Sequence, residues 1–534
     1  MVVCRLGDFE GHNARLSEII SDKGTGLHYM KFTELPQRWI IAAICVATHA
    51  LAIPSFGAVF WIDAIHYANL GIAISKADGI AQFYQGIGTW FFSHLQPGLP
   101  VLGILVGMLP VDIQWLTLAV AQHALAAFAC YFFFITIDRF WPSRWNFLGC
   151  FLLNALPSYQ AAHGSFMTES LNSSLMLLGL SQAIRLVKQE VFQPKQFLRL
   201  LALLVLITQF RSYSGGVVVG AAFLVLYRHR LVFSRHTLAC LFAIGAAATA
   251  YPTYRFALTG VFWLPTAGMN SLMAGWWVNP NPSASALRTL VAAPAPAALE
   301  AGNLVNRGLD YDDAIALGRY WQSLGMSDRE INAMAQDLGS TLRNDGWGVR
   351  LNRVALGLAS SGMVLPYCLA PDDVIVFPLY TAKQMCAHQR NTYLFQSWIA
   401  LTNQKQLFQS FFELPSSMDG FAFQQFAKSR LAESMKAYLT ETPILAKDPL
   451  LMGRLVPPDI WVISGILSLL LLVRRERYLA VMCAWIVLSN FVVAYSFPLG
   501  NPRYAYALFP IYIGLCCVAA STAGRPVKRN KKSA

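Results

Sequence analysis

Acidic side chains are scarce in this chain: 28 Asp and Glu stand against 41 Lys and Arg, and charged residues of both signs fill 13% of its 534 positions. A soluble globular domain carries roughly 25% charge, so an ordinary water-facing surface is excluded. Cysteine is sparse as well, ten in all, with no zinc-type spacing. The chain has no HExxH, no phosphate-binding GxxxxGKS/T and no GxGxxG opening a helix. Those absences argue against a nucleotide-driven pump or a soluble-type dehydrogenase. No ankyrin-like or solenoid period is present.

What is present is apolar. Hydrophobic residues make up 55% of the chain and the mean hydropathy is +0.45. Crossing ~30 Å of hydrocarbon takes about 20 apolar helical residues. About ten candidate spans have cores at Trp39–Phe60, Ile113–Ile137, Phe147–Tyr159, Ser170–Ile184, Leu198–Phe210, Gly215–Tyr227, Thr237–Tyr254, Ile460–Val473, Tyr478–Phe497 and Tyr504–Ala520. The third, fifth and sixth are short and must borrow flanking residues or sit in thinned bilayer. The expected fold class is therefore an all-α polytopic membrane protein.

Basic residues give the orientation, because cytoplasmic connections are enriched in Lys and Arg. Arg5, Arg15, Lys23, Lys31 and Arg38 precede the first span, and Arg139 and Arg144 follow the second. Arg185, Lys188, Lys195 and Arg199 follow the fourth, Arg228, Arg230 and Arg235 the sixth, and Arg474, Arg475 and Arg477 the eighth. The tail Arg525–Lys532 completes the alternation, so both termini read as cytoplasmic in a plasma (inner) membrane protein. The net charge of +13 is then a topology signal with contact to anionic headgroups, and no nucleic-acid partner is expected. No cleavable leader is expected either, since the first apolar run follows a long polar stretch and is long enough to anchor.

The expected organisation is a cytoplasmic segment over 1–38, a membrane part over 39–257 with a first outer loop at 61–111, and an extracytoplasmic domain over 258–458. A second membrane part over 459–522 and a basic tail over 523–534 follow. The first outer loop is semi-apolar and aromatic, which suits interfacial helices. The large outer segment should be mostly α, with helices at Asp310–Ser323, Asp328–Leu342 and Gln424–Leu439. Ser327 followed by Glu330 predicts a capping box at the second of these. Val354–Ala370 is apolar, but a crossing there would reverse the later basic clusters, so it reads as an amphipathic or buried helix. Cys45, Cys130, Cys150, Cys240, Cys483, Cys516 and Cys517 lie in or beside spans as small packing residues, and Cys4 falls in the cytoplasmic segment. Cys368 and Cys386 fall in the outer segment, either as a disulfide or as two free thiols.

Ionisable groups at the outer ends of spans are the candidates for chemistry, because charge at membrane depth is expensive. Asp63 follows the first span, Glu169 begins the fourth and Asp112 opens the second. Arg211, Arg255 and Arg503 stand at the outer ends of the fifth, seventh and tenth, and His94 and His163 are weaker candidates. Carboxylates and guanidinium groups on one face suit transfer from a lipid phosphate: a base takes the acceptor's proton while arginines hold the phosphate. The competing reading for each is structural: a helix-end acid stabilised by the dipole, or a snorkelling arginine.

Trp61-Ile-Asp63-Ala-Ile-His66-Tyr67, His94-Leu-Gln96-Pro97-Gly98-Leu-Pro100, Ala155-Leu-Pro157 leading to Thr168-Glu169-Ser170-Leu, and Asn501-Pro502-Arg503-Tyr504 resemble, in that order, the GT-C glycosyltransferase superfamily. Its familiar members are protein O-mannosyltransferases and aminoarabinose transferases. The resemblance covers the membrane part, a little over half the chain. It implies a sugar donor on a polyprenyl phosphate or diphosphate, transfer on the outer face with inversion, and a glycan, lipid or protein acceptor. Residue by residue it implies Asp63 as catalytic base, Glu169 at a substrate or metal position, and Arg503 with Tyr504 facing the lipid phosphate. Tyr67, His94, Arg211 and Arg255 join the implied substrate-binding set. No cofactor is fixed, and a divalent metal ion stays open with its ligands unknown. Two features depart from the family: Asp63 is followed by Ala64 instead of a second acid, and 258–458 has no counterpart.

Two other readings compete. A transporter or flippase for lipid-linked glycans would use polar groups deep in the bundle, here His49, His123, Gln122 and Asn490. An O-antigen polymerase or ligase would rely on arginines and a histidine more than on Asp63.

Overall fold

The computed structural model describes residues 37–56, 108–164, 167–259, 311–360, 458–496 and 507–523, with isolated positions between 98 and 105 and between 268 and 279. Among these residues the chain is helical throughout, without strands. The helices are α1 (Gln37–Phe56), α2 (Val111–Phe140), α3 (Trp145–Asn154), α4 (Pro157–Gly164), α5 (Thr168–Lys188), α6 (Pro194–Phe210), α7 (Ser212–Arg228) and α8 (Arg235–Thr259). They continue as α9 (Tyr311–Ser323), α10 (Asp328–Asn344), α11 (Gly346–Ser360), α12 (Pro458–Leu472), α13 (Arg477–Ser496) and α14 (Phe509–Ala523).

α5 lies at the centre and packs on α2, α4, α6 and α7. It is the least hydrophobic of the expected spans, yet it is buried from Thr168 to Val187 with few exceptions. Two of its hydroxyls are satisfied inside the helix: Ser174 Oγ donates to the Ser170 carbonyl at 2.9 Å and Ser181 Oγ to that of Leu177 at 2.6 Å. A polar helix can therefore fill the core without orphaned hydroxyls at those positions. α1, α3 and α4 cover one side of α2, and α13 packs on α7 and α11. α7 and α13 approach closely at Gly220, where a Cβ would collide with the Trp485 indole. The indole Nε1 donates to the Gly216 carbonyl at 2.9 Å.

The expected third span is two helices. Pro157 lacks an N–H and cannot continue α3, so the chain breaks at Ala155–Leu156 and restarts as α4. Gln160 Nε2 donates to the Asn154 carbonyl at 2.9 Å, supplying a partner for a group that the break releases. The helices at the expected fifth and sixth spans begin earlier, at Pro194 and Ser212, and Arg211 alone separates them.

The two ends of α5 carry different chemistry, separated by its 21 residues, ~30 Å of helix. At the Lys188 end, Lys188 Nζ pairs with Glu476 Oε2 at 2.5 Å, and Trp141 Nε1 donates to Glu476 Oε1 at 2.7 Å. Gln37 and Asn146 both donate to Asp138 Oδ1 at 2.9 Å. The start of α1, the end of α2, the end of α5 and the start of α13 thus share one end of the bundle. Glu169 and Arg211 share the other.

Large apolar side chains face outward in numbers: Leu116, Val120 and Phe128 on α2, Leu241 and Phe242 on α8, Leu467 and Leu470 on α12, and Leu488 and Val492 on α13. Water would penalise such a belt, whereas lipid tails solvate it. One stretch, Leu116–Phe140, is by itself long and apolar enough to cross a bilayer among the described residues. The apolar stretches of α1, α7, α8, α12, α13 and α14 run 10–17 residues.

Within 258–458, α9 and α10 match the expected helices. The capping box forms, with Glu330 N donating to Ser327 Oγ at 3.4 Å and Ser327 N to Glu330 Oε2 at 2.8 Å. The Ser327 hydroxyl, donating to Glu330 Oε2 at 2.7 Å, and the Ser327 N–H together hold the Glu330 carboxyl below the usual carboxylate range, while burial pushes Asp328 up. α11 begins before the expected Val354 and packs on α13, where Arg353 Nε donates to the Tyr495 carbonyl at 2.8 Å. The helix expected at 424–439 lies outside the described residues. Cys45, Cys130, Cys150, Cys240, Cys483, Cys516 and Cys517 are free, and all but Cys516 are buried.

Candidate functional site

The site is built where α5 begins and where α6 turns into α7. Met167, extended at φ −141 and ψ 154, caps α5, so Glu169 falls in its first turn. The positive end of the helix dipole favours a carboxylate there. Arg211, also extended at φ −148 and ψ 107, is at once the C-cap of α6 and the N-cap of α7. Its N–H still bonds the Ile207 carbonyl at 2.9 Å, and its own carbonyl accepts from Ser214 N at 3.1 Å.

The two side chains form a salt bridge, Arg211 NH2 to Glu169 Oε1, with side-chain exposures of 9% and 6%. Arg211 Nε donates to Thr168 Oγ1 at 2.6 Å, and Thr168 Oγ1 lies 3.4 Å from Glu169 Oε2. One guanidinium thus holds two successive residues of the first turn of α5, a charge-assisted grip that fixes its direction. Ser170 adds a third polar contact, its Oγ lying 2.9 Å from His163 Nδ1.

One turn further along α5, Asn172 lines a narrow cleft with Met176, Ser214, Val217, Ile486, Ser489, Asn490, Ala507 and Leu508. Asn172 Oδ1 is buried without a hydrogen-bond partner. The cleft reaches from α5 and α7 to the approach of α14, so the segment that follows Asn501–Tyr504 in the chain closes on this region at Ala507–Leu508.

The structure therefore brings together Glu169 and Arg211, two of the sequence-selected residues, and sets His163 beside them through Ser170. Asp112 and Arg255 lie on α2 and α8, but their side chains are outside the described residues. Asp63, Tyr67, His94, Arg503 and Tyr504 also lie outside them. Sequence reasoning missed Thr168, Asn172 and Ser214 as site residues. The available signal was an unusually polar run, Thr168 to Ser174, inside a supposed span. Among the described residues no group of three His, Cys, Asp or Glu is posed to hold a metal ion.

Scans against protein-family models and against curated proteins find no match. Two solved structures are similar in part: the archaeal oligosaccharyltransferase AglB from Archaeoglobus fulgidus in complex with an inhibitory peptide and a dolichol-phosphate, and the apo form of the Archaeoglobus fulgidus oligosaccharyltransferase. Identities are 11% and 12% and the TM-score is 0.32 for each. Each match covers 91% of this chain and 50% of the other, so the chain spans half the length of those proteins. Similarity of that degree carries no argument about chemistry, which rests on the residues themselves.

Proposed function

We propose that the chain is an integral membrane glycosyltransferase of the GT-C type, with about ten crossings, both termini cytoplasmic and the reaction on the outer face. It moves a sugar from a polyprenyl-phosphate or diphosphate donor to a glycan, lipid or protein acceptor. Asp63 takes the acceptor proton, the acceptor oxygen attacks the anomeric carbon with inversion, and the lipid phosphate leaves. Arg503 and Tyr504 meet that phosphate, while Tyr67, His94 and Arg255 line the substrate path and the 258–458 segment selects the acceptor.

The observation that carries this reading is the buried Glu169–Arg211 pair at the end of α5 opposite Lys188 and Glu476. Both residues are expected at the outer ends of their helices, on one face. In the proposal they fix the second outer loop against the α6–α7 turn, beside the cleft lined by Asn172 and Ser214.

The test is reconstituted protein supplied with a polyprenyl-phosphate sugar and membrane-accessible acceptors. Asp63→Asn should transfer sugar about 10²–10⁴-fold more slowly, the range for loss of a general base. An inserted Asp63→Asn protein as fast as the parent removes the mechanism.

A second reading, movement of a lipid-linked glycan across the bilayer without chemistry, is favoured by buried polar groups in the bundle. Gln122 has both side-chain polar atoms buried without partners, the kind of group a transport path retains. Lipid-linked sugar that changes leaflet without changing its covalent linkage would select this reading.

A further inference from the structure

At the Lys188 end of α5 the helices enclose a cavity of about 180 Å³. One water needs only ~10–15 Å³, so the space suits a larger occupant. Its buried wall is apolar, from Ile184, Val187, Leu479 and Met482, and its half-buried wall carries Lys188, Arg228, Glu476 and Tyr478.

Charge around this cavity is unbalanced. Glu476 is fully engaged, because Lys188 Nζ pairs with one carboxylate oxygen and the Trp141 indole donates to the other. Arg228, in the last turn of α7, has no carboxylate partner among the described residues. Its guanidinium carbon lies 5.7 Å from the centre of the Tyr478 ring, and that of Arg477 lies 4.8 Å from the same ring. Arg477 also donates to the Tyr478 hydroxyl at 3.1 Å. α13 opens here, so the N–H groups of residues 477–479 have no carbonyl to reach within their helix. The positive end of the helix dipole adds to the two guanidinium groups. Such a gathering fits a phosphate, which can accept from all three.

The surface leading away from the cavity identifies the source of that phosphate. Val481, Trp485, Leu488 and Val492 follow Tyr478 along one face of α13, and each is 42–55% exposed. The 20 residues of α13 run ~30 Å, the thickness of a bilayer's hydrocarbon core. Its first turn therefore falls at headgroup depth when the helix crosses, with the stripe among the tails. We propose that the cavity binds an anionic phospholipid, its phosphate held by Arg228, Arg477 and the start of α13, and one acyl chain lying along the Val481–Val492 stripe. The uncompensated positive charge favours an anionic headgroup over a zwitterionic one.

This site needs the chain to lie in a membrane and does not rest on the glycosyltransferase reading, since it sits at the opposite end of α5 from Glu169 and Arg211. The test is native mass spectrometry of the full chain, delipidated in detergent and titrated with phosphatidylglycerol or phosphatidylcholine. The parent, which needs no variant to fold, should retain one phosphatidylglycerol per chain in preference to phosphatidylcholine. Inorganic phosphate, which shares the anion and lacks the tails, should not displace it. Arg228→Gln and Arg477→Gln should each weaken retention by about 10-fold or more, the worth of one charge-assisted hydrogen bond. Arg199→Gln, an exposed arginine near the start of α6, should leave it unchanged. Equal retention of the two lipids, displacement by inorganic phosphate, full affinity in Arg228→Gln, or an equal loss in Arg199→Gln would overturn the site.

Discussion

The Glu169–Arg211 pair can be weighed by a double-mutant cycle of Glu169→Gln, Arg211→Met and the two together. Each single exchange leaves one charge in a place where both side chains are less than a tenth exposed. Breaking a buried ion pair from one side costs about 3–5 kcal/mol, because the remaining charge keeps its desolvation penalty without its partner. Glu169→Gln should fall at the lower end, since Arg211 keeps its 2.6 Å bond to Thr168. At roughly 2 °C per kcal/mol, the figure for a large domain, the melting temperature drops by about 6–10 °C. The double exchange removes both charges and should be less damaging than the sum of the singles by roughly 1–3 kcal/mol. Thermal unfolding in detergent, followed by loss of the monodisperse chromatographic peak, reads all four proteins. If both single variants melt within a degree of the parent, or if the losses simply add, the pair does not hold α5 against the α6–α7 turn.

Gln160→Met should destabilise by roughly 1–3 kcal/mol, since the Asn154 carbonyl at the α3–α4 break loses its 2.9 Å donor; the same melting assay checks it. Ser327→Ala should cost about 1 kcal/mol of helix stability, seen as faster amide exchange in the first turn of α10. The Glu330 carboxyl is held down by Ser327, so its contribution is fully present above its ordinary value of 4.5 and is lost as pH falls through the lower folded value. Amide exchange in that turn, corrected for intrinsic rate, should therefore rise on acidification in the parent and change less in Ser327→Ala.

Hydropathy and charge alternation made most of the helices legible, because a long apolar run bounded by arginines admits few other structures. The α3–α4 break was not, since Pro157 sits within an apolar stretch whose only outward sign was its shortness. The candidate site was legible as individual residues and not as a pair. Glu169 and Arg211 are 42 positions apart, and hydropathy says nothing about the rotation of α5 relative to α6. The same holds for the histidines: in the sequence His49 and His123 are polar groups at depth and His163 a weaker candidate, while only packing reveals that their rings meet, with centroids 5.3, 5.4 and 5.9 Å apart.

Arg211 joins α6 to α7 with no other residue between them, so the reversal of the chain and the grip on the acidic helix are one piece of hardware. A longer loop would let natural variation lengthen the turn and leave the anchor untouched. Here every added residue displaces the guanidinium itself. Length polymorphism should accordingly be absent at this hairpin, and any ligand that draws Arg211 away must also loosen the packing of the two rods it joins.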